Sequence, residues 1–507
     1  MNADPIRIAL EALREGIPHK AVLGDTPIVL IRQAGTVSAL AGACPHAGAP
    51  LEKGAVCEGR LICPWHKAAF SIADGALLEP PALASLTRYA VRIKAGTVIV
   101  DGTTIEPDAP APATTDPGTI AIVGSGAAAS GALALLGSRG HRGRVVVVSR
   151  ETPPPYDRTV LSKMVISGGM PPEAKPVLKD EDFPVGIERV TGEIIRLDAT
   201  RREIHLADGR SIRFDQALLA SGGTPKVPPL PGVELSGIHV LRSAADAVAL
   251  TSSIKSAKRA VILGAGFIGL EVASGLRERD VVVTIVCSDE VPLVGIVGKR
   301  LGRRLRALHE AKGVTFVEGR IARFEGSSRI EQVVLEDGAT LPCDLVVLGT
   351  GVSPATDFVE GVEAREGGMI VDAMLEAGPG LFAAGDVARF PYRAEMVRIE
   401  HWRLAQQHGW LAARNMLGDR ASFKGVPFFW TAQHGVRLDY LGHASEWDDE
   451  VVEGDFDQMD FVLFLVRDGE VSAAIGCARD AQMALLSHAL CRPLPIDEAR
   501  TIARQSN

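Results

Sequence analysis

Apolar residues are spaced in two different ways along the 507 positions of this chain. Up to about residue 105 they form short runs broken by turns: Pro27-Ile28-Val29-Leu30-Ile31, Val37-Ser38-Ala39-Leu40 and Tyr89-Ala90-Val91-Arg92-Ile93. Such runs predict strands, and Asp74-Gly75 predicts a hairpin. From Thr119 the style changes. Apolar strands feed Gly-rich turns and then helical stretches, once near 119–151 and again near 259–288. Strand, turn and helix in that order is the βαβ pattern of a parallel sheet. From about residue 421 short strands return, Phe461-Val462-Leu463-Phe464-Leu465-Val466 among them, and two helical stretches close the chain.

These changes predict a multidomain fold. A small all-β domain covers 1–105, and a linker follows over 106–118. The Pro/Ala/Thr run of that linker cannot build a packed core and reads as extended. Two Rossmann-like α/β domains come next, the second (231–343) inserted into the first (119–230 and 344–420). A C-terminal α+β domain is expected over 421–507.

Composition narrows the function classes. A formal net charge of -8 argues against a general nucleic-acid binder, while leaving room for a partner with a local basic patch. No run of about 18 apolar residues occurs, so no membrane span is expected. The first thirty residues carry Asp4, Arg7, Glu11, Arg14, Glu15 and Lys20, unlike the apolar core of a secretion signal. Seven cysteines in so long a chain do not suggest a disulfide framework. The expectation is a soluble, cytoplasmic protein of a reducing compartment.

The sharpest chemistry is Cys44-Pro45-His46 followed by Cys63-Pro64-Trp65-His66. Each loop offers one thiolate and one imidazole. Two such loops supply two Cys to one iron and two His to the other, which is the Rieske 2Fe-2S arrangement. A structural zinc site usually pairs Cys with Cys and His with His in its two arms, and here each arm is mixed. The prolines and Gly48 allow tight loops that leave backbone N–H groups free to point at sulfurs. High-potential Rieske proteins carry a further cysteine pair. Ala47-Gly48-Ala49 and Lys67-Ala68 stand here instead, so this domain resembles the ferredoxin type of aromatic-ring dioxygenases.

Two nucleotide motifs follow. Ile120-Ala121-Ile122-Val123 leads into Gly124-Ser125-Gly126-Ala127-Ala128-Ala129, and Val261-Ile262-Leu263 leads into Gly264-Ala265-Gly266-Phe267-Ile268-Gly269. The first Gly makes the turn. The second lets backbone approach a pyrophosphate, and the small third residue, Ala129 or Gly269, lets the helix pack on the sheet. One such motif is weak evidence; two in the same context suggest FAD plus a nicotinamide. Glu151, near the end of the next strand, suits an adenosine ribose. In the second unit Cys287 stands where Glu or Asp is usual. Asp289 and Glu290 follow and would repel a 2′-phosphate, which favours NADH while leaving NADPH possible.

Residues 119 to about 500 resemble the FAD-dependent ferredoxin reductases of oxygenase systems. The resemblance rests on Pro155-Tyr156-Asp157-Arg158-Thr159-Val160-Leu161-Ser162-Lys163, on the strand ends at Leu218–Pro225 and Leu348–Pro354, and on Leu381-Phe382-Ala383-Ala384-Gly385-Asp386. With the N-terminal domain included, the whole chain resembles apoptosis-inducing-factor-like proteins. The resemblance implies that Gly385 and Asp386 bind the flavin's ribityl chain. It places Arg158 and Lys163 beside the flavin, and Glu271 against Lys163, a reading favoured over a helix-surface carboxylate because Glu271 follows GxGxxG in an apolar helix start. Arg242 reaches the FAD or merely starts a helix. Trp402 and Trp430 cover the flavin ring or belong to the core. Pro155 to Met170 holds no cysteine, which argues against thiol–disulfide chemistry, and Cys343, Cys477 and Cys491 read as buried inert thiols.

The expected activity is electron transfer from NAD(P)H through FAD to the fused cluster and on to a partner such as an oxygenase. The alternative is a nicotinamide-responsive redox sensor of apoptosis-inducing-factor type.

Overall fold

The computed structural model describes residues 4–106, 117–173, 175–365 and 367–505. Residues 107–116 of the expected linker lie outside them.

The N-terminal domain is built from two antiparallel sheets. The larger has six strands, among them Thr26–Gln33, Thr36–Ala41 and Arg88–Lys94, which contain the three apolar runs. The smaller pairs Ala55–Cys57, Arg60–Ile62, Ala69–Ser71 and Leu77–Glu79. Asp74-Gly75 turns the last two strands, with Gly75 at φ 79.

In the first nucleotide unit the parallel strands run in the order Glu188–Thr191, Val145–Ser149, Ile120–Val123, Gln216–Leu219 and Leu381–Ala383. The chain leaves this sheet at Leu219 and returns at Glu376, whose strand pairs antiparallel with Leu381–Ala383. Between them lies the second parallel sheet: Ile238–His239, Leu345–Leu348, Arg259–Leu263, Val282–Cys287 and Val314–Glu318. Insertion of one unit into the other is therefore literal. Leu345–Leu348 pairs with Arg259–Leu263, so the second sheet runs past the boundary expected at 343. The two crossings pair with each other as a short ribbon, Gly223–Pro225 against Val352–Pro354.

Close approach fixes the floor of the first unit. Helix Ala127–Ser138 crosses helix Trp402–Met416 so tightly that a Cβ on Gly409 would lie 1.8 Å from the Ala128 carbonyl oxygen. Only glycine fits such a crossing. The C-terminal domain is a five-stranded antiparallel sheet backed by helices Asp480–Ala489 and Ile496–Ala503. Cys343 and Cys477 are buried, but Cys491 lies at the surface, just past the first of these helices, contrary to expectation. Among the described residues no helix is long and apolar enough to cross a membrane.

The N-terminal domain is seated on the C-terminal sheet. Lys67 is fully buried, with its ammonium 2.8 Å from the Asp439 carboxylate. Arg403, also buried, donates to the Lys67 carbonyl (2.8 Å), the Pro80 carbonyl (3.0 Å) and the Glu79 carboxylate (3.0 Å). Arg437 donates to the Trp65 carbonyl and pairs with Asp439. Ala55, Ile62 and Ala69 pack on Ala484.

Two outcomes test these contacts. Asp439→Asn strands a buried ammonium and should weaken the seating by about 3 kcal/mol, whereas the apolar pair Lys67→Met/Asp439→Leu should cost much less. Chemical denaturation of the three proteins measures both. The second outcome concerns His408, wholly buried beneath the flavin motif, where burial brings its pKa down to about 3. The unfolded chain takes up that proton at an ordinary pKa near 6.5. Stability from this group is therefore complete above about pH 6.5 and is lost as pH falls towards 3, by about 1.4 kcal/mol per pH unit. His408→Leu should flatten that part of the acid-denaturation curve.

Candidate functional site

Two loops of equal design carry the first four residues of interest. In one, the Gly48 N–H donates to the Cys44 carbonyl at 2.8 Å and the Cys44 N–H to Ala49 at 2.9 Å. In the other, Lys67 donates to Cys63 at 3.2 Å and Cys63 to Ala68 at 2.8 Å. Both turns need a left-handed residue at the same place, Gly48 (φ 75) and Lys67 (φ 61). This folding aims backbone amides at the sulfurs: His46 and Ala47 at Cys44, Trp65 and His66 at Cys63. The Cys44 thiol donates to Cys63, which holds the Cys63 pKa down at about 7 and raises that of Cys44. The imidazoles pair separately, with the Nδ1 atoms of His46 and His66 3.1 Å apart. Burial lowers the pKa of both rings and so favours the neutral, ligating form.

The donors thus fall into a sulfur pair and a nitrogen pair. Among the described residues no group of three or more His, Cys, Asp or Glu converges on one point. A single tetrahedral zinc is poorly served by this layout, and a two-iron cluster with one pair on each iron is well served.

Both imidazoles line a cavity of about 770 Å³. Gly124, Gly126, Glu151, Arg158, Lys163, Arg242, Gly385, Asp386, Trp402 and Trp430 line the same cavity, so the sequence candidates for a flavin site come together with the cluster loops. Gly124 makes its turn at φ 105, and a Cβ there would lie 2.3 Å from the Ala220 carbonyl oxygen. A Cβ on Gly126 would meet nothing within 4 Å, leaving the helix N-terminus open to a phosphate. Ala129 is buried against the sheet. The indole N–H of Trp402 and Nδ1 of His401 are buried with no partner among the described residues, which suits a polar occupant.

Three carboxylates around this cavity are paired with cations. Glu151 accepts from the Tyr156 hydroxyl (2.5 Å) and from Arg158. Arg158 also donates to the Arg242 carbonyl at 3.0 Å, and Arg242 pairs with Asp386 at 2.7 Å. A π-helical turn, Leu161–Val165, presents Ser162 and Lys163. Glu271 is buried, not at a helix surface; it accepts from Lys163 (3.1 Å), Ser162 (2.5 Å) and Thr431 (2.7 Å). Trp430 is close both to Lys163, whose ammonium is 4.6 Å from the ring centre, and to His66, whose ring centre is 5.2 Å away.

The second nucleotide motif lies beside this cavity: Phe267 and Ile268 line it, whereas its three glycines do not. Gly264 turns at φ 101, a Cβ on Gly266 would meet nothing within 4 Å, and a Cβ on Gly269 would lie 2.2 Å from the Gly264 carbonyl oxygen. Cys287 ends its strand with the thiol buried and donating to the Asp289 carbonyl at 3.3 Å. Arg306, which sequence spacing did not bring to this turn, donates to the Glu290 carbonyl (2.6 Å) and pairs with Glu310. Ser162, Thr431, Lys67, Arg403 and Asp439 were also missed. Each makes its contact across a domain boundary, and no local motif marks such a contact.

Comparison with known proteins matches three parts of the chain. Residues 118–409 match the pyridine nucleotide-disulphide oxidoreductase model, 7–90 the Rieske [2Fe-2S] domain and 428–506 the reductase C-terminal domain. Apoptosis-inducing factor 3 of Mus musculus is 32% identical over 492 residues, covering 91% of this chain and 79% of the relative. The ferredoxin--NAD(+) reductase component of the biphenyl dioxygenase system of Paraburkholderia xenovorans is 34% identical over 376 residues, covering 72% and 92%. Among solved structures, the ferredoxin reductase for the CYP199A2 system of Rhodopseudomonas palustris superposes with a TM-score of 0.69 at 27% identity, covering 75% of this chain and 97% of that one. The chain therefore belongs to the pyridine nucleotide-disulphide oxidoreductase family, as a ferredoxin reductase-type oxidoreductase with FAD, a nicotinamide and a fused Rieske [2Fe-2S] domain.

Proposed function

We propose that this chain oxidises NADH and passes the electrons through FAD to its own Rieske cluster, and from there to a partner protein such as an oxygenase. One observation carries the reading: the imidazoles of both cluster loops line the same cavity as the flavin-site residues, with Trp430 close to both His66 and Lys163. When bound, FAD supplies the exchange between two-electron and one-electron transfer, and the cluster stores one electron. The ligands would be Cys44 and Cys63 on one iron and His46 and His66 on the other.

The remaining work belongs to side chains. Gly124 and Gly126 seat the pyrophosphate of FAD, Ala129 lets the helix behind them pack on the sheet, and Glu151 takes its adenosine ribose. Asp386, oriented by Arg242, faces the ribityl chain. Lys163 sets a positive charge beside the flavin, where reduction adds negative charge. Glu271 keeps that buried ammonium from standing alone. Trp402 and Trp430 exclude water from the ring. Gly264, Gly266 and Gly269 seat the nicotinamide coenzyme. At its ribose the exposed acids Asp289 and Glu290 favour NADH, although Arg306, which donates to the Glu290 carbonyl, offers a cation to a 2′-phosphate.

Three outcomes test the reading. Anaerobic mixing with NADH should bleach the flavin and then reduce the cluster, seen by EPR; a bleached flavin beside a cluster that stays oxidised would overturn internal transfer. Trp430→Leu should slow the second phase several-fold more than the first. The ratio of kcat/KM for NADH to that for NADPH should fall in Asp289→Ala/Glu290→Ala and rise in Arg306→Leu.

A further inference from the structure

A line of hydrogen bonds leads away from the cavity into the body of the protein. Thr431 Oγ1 lies 2.7 Å from Glu271 Oε1, and Gln433 Nε2 lies 3.1 Å from Thr431 Oγ1. Gln433 Oε1 is 2.9 Å from His309 Nε2, and His309 Nδ1 is 3.1 Å from His434 Nε2. Glu271 Oε2 meets Lys163 and Ser162 at the inner end. Glu271, Thr431, Gln433 and His309 are all buried, and His434 is half-buried at the outer end. The line crosses domains. His309 belongs to helix Val294–Ala311 and Glu271 to helix Phe267–Arg277, both of the nicotinamide unit. Thr431 and Gln433 lie on strand Phe428–Gln433 of the C-terminal domain, and Lys163 on the flavin side.

The chemistry of each group fixes the direction of the line. A carboxylate only accepts, so Thr431 donates to Glu271. Thr431 must then accept from the Gln433 amide nitrogen. That turns the amide oxygen towards His309, and an amide oxygen also only accepts, so His309 carries its proton on Nε2. Burial lowers the pKa of His309 and holds that of His434 at about 4, so both rings are neutral near pH 7. Nδ1 of His309 is therefore bare and accepts from His434. Four successive bonds point their positive ends at Glu271. Aligned dipoles of this kind act as fixed positive potential at the end they face, and they act strongly where water is excluded.

We propose that His309 and Gln433 are positioning residues of the flavin site: through Thr431 they hold the Glu271 carboxylate against Lys163 and lend positive potential to the flavin side of the cavity. The inference rests on the reading that the cavity holds FAD beside Lys163. It ties helix Val294–Ala311 of the nicotinamide unit to the flavin site.

The test is the midpoint potential of the bound flavin in the holoenzyme. His309→Phe and Gln433→Leu remove the aligned donors, so the potential should move to more negative values in both. His309→Gln, which keeps a donor facing Gln433, should stay nearer the parent value. His434→Asn, at the outer end, should give a smaller shift of the same sign and keeps the test decidable if the buried variants fail to fold. A properly flavinated His309→Phe, or failing that His434→Asn, with the parent potential overturns the proposal. Lys163→Met separates the two readings. If it leaves the potential unmoved, the placement of the flavin is wrong. If it shifts the potential while the chain variants do not, the placement stands and only the hydrogen-bonded chain fails.

Discussion

Lys67 holds its backbone in the left-handed region, at φ 61, while its ammonium is wholly buried against Asp439. Neither feature is cheap. The equivalent turn of the sister loop uses Gly48, which takes that conformation freely, whereas a side chain there costs of order 1–3 kcal/mol. A buried ion pair adds a desolvation cost that its attraction barely offsets. What the arrangement provides is orientation. With Arg403 and Arg437 gripping the carbonyls of Lys67, Pro80 and Trp65, the cluster loops can face only one way, His46 and His66 into the cavity.

That orientation changes what the N-terminal domain can do. A tether alone raises the effective concentration of two partners and leaves their mutual attitude open. Here the attitude is set by charges buried on both sides of the seam, so the imidazole edge meets Trp430 and the Lys163 side of the cavity directly.

Inside the cavity, the repeated device is charge held by an opposite charge. Glu151 with Arg158, Asp386 with Arg242 and Glu271 with Lys163 are each paired within the protein. Such pairs keep the walls fixed, so little reorganisation is needed when charge on an occupant changes. The line from Glu271 to His434 extends the device outward, with neutral dipoles in place of charges.

Sequence alone determined what depends on local spacing. Two mixed Cys/His loops, two glycine motifs between strand and helix, and a Pro/Ala/Thr break are each set within about a dozen residues, because turn geometry and side-chain period are local properties. Cys44, His46, Cys63 and His66 were legible for that reason, as were Gly124 and Gly264. The boundary near 343 was misjudged, because strand Leu345–Leu348 joins the second sheet through pairing with residues far away in sequence. Glu271 was ambiguous, since a helix does not announce which face meets another domain. Lys67 with Asp439, Thr431 with Glu271 and Arg306 beside Glu290 join residues distant in sequence, and only the tertiary structure could bring them together. Burial at such contacts removes the water that would otherwise make each of those charges ordinary.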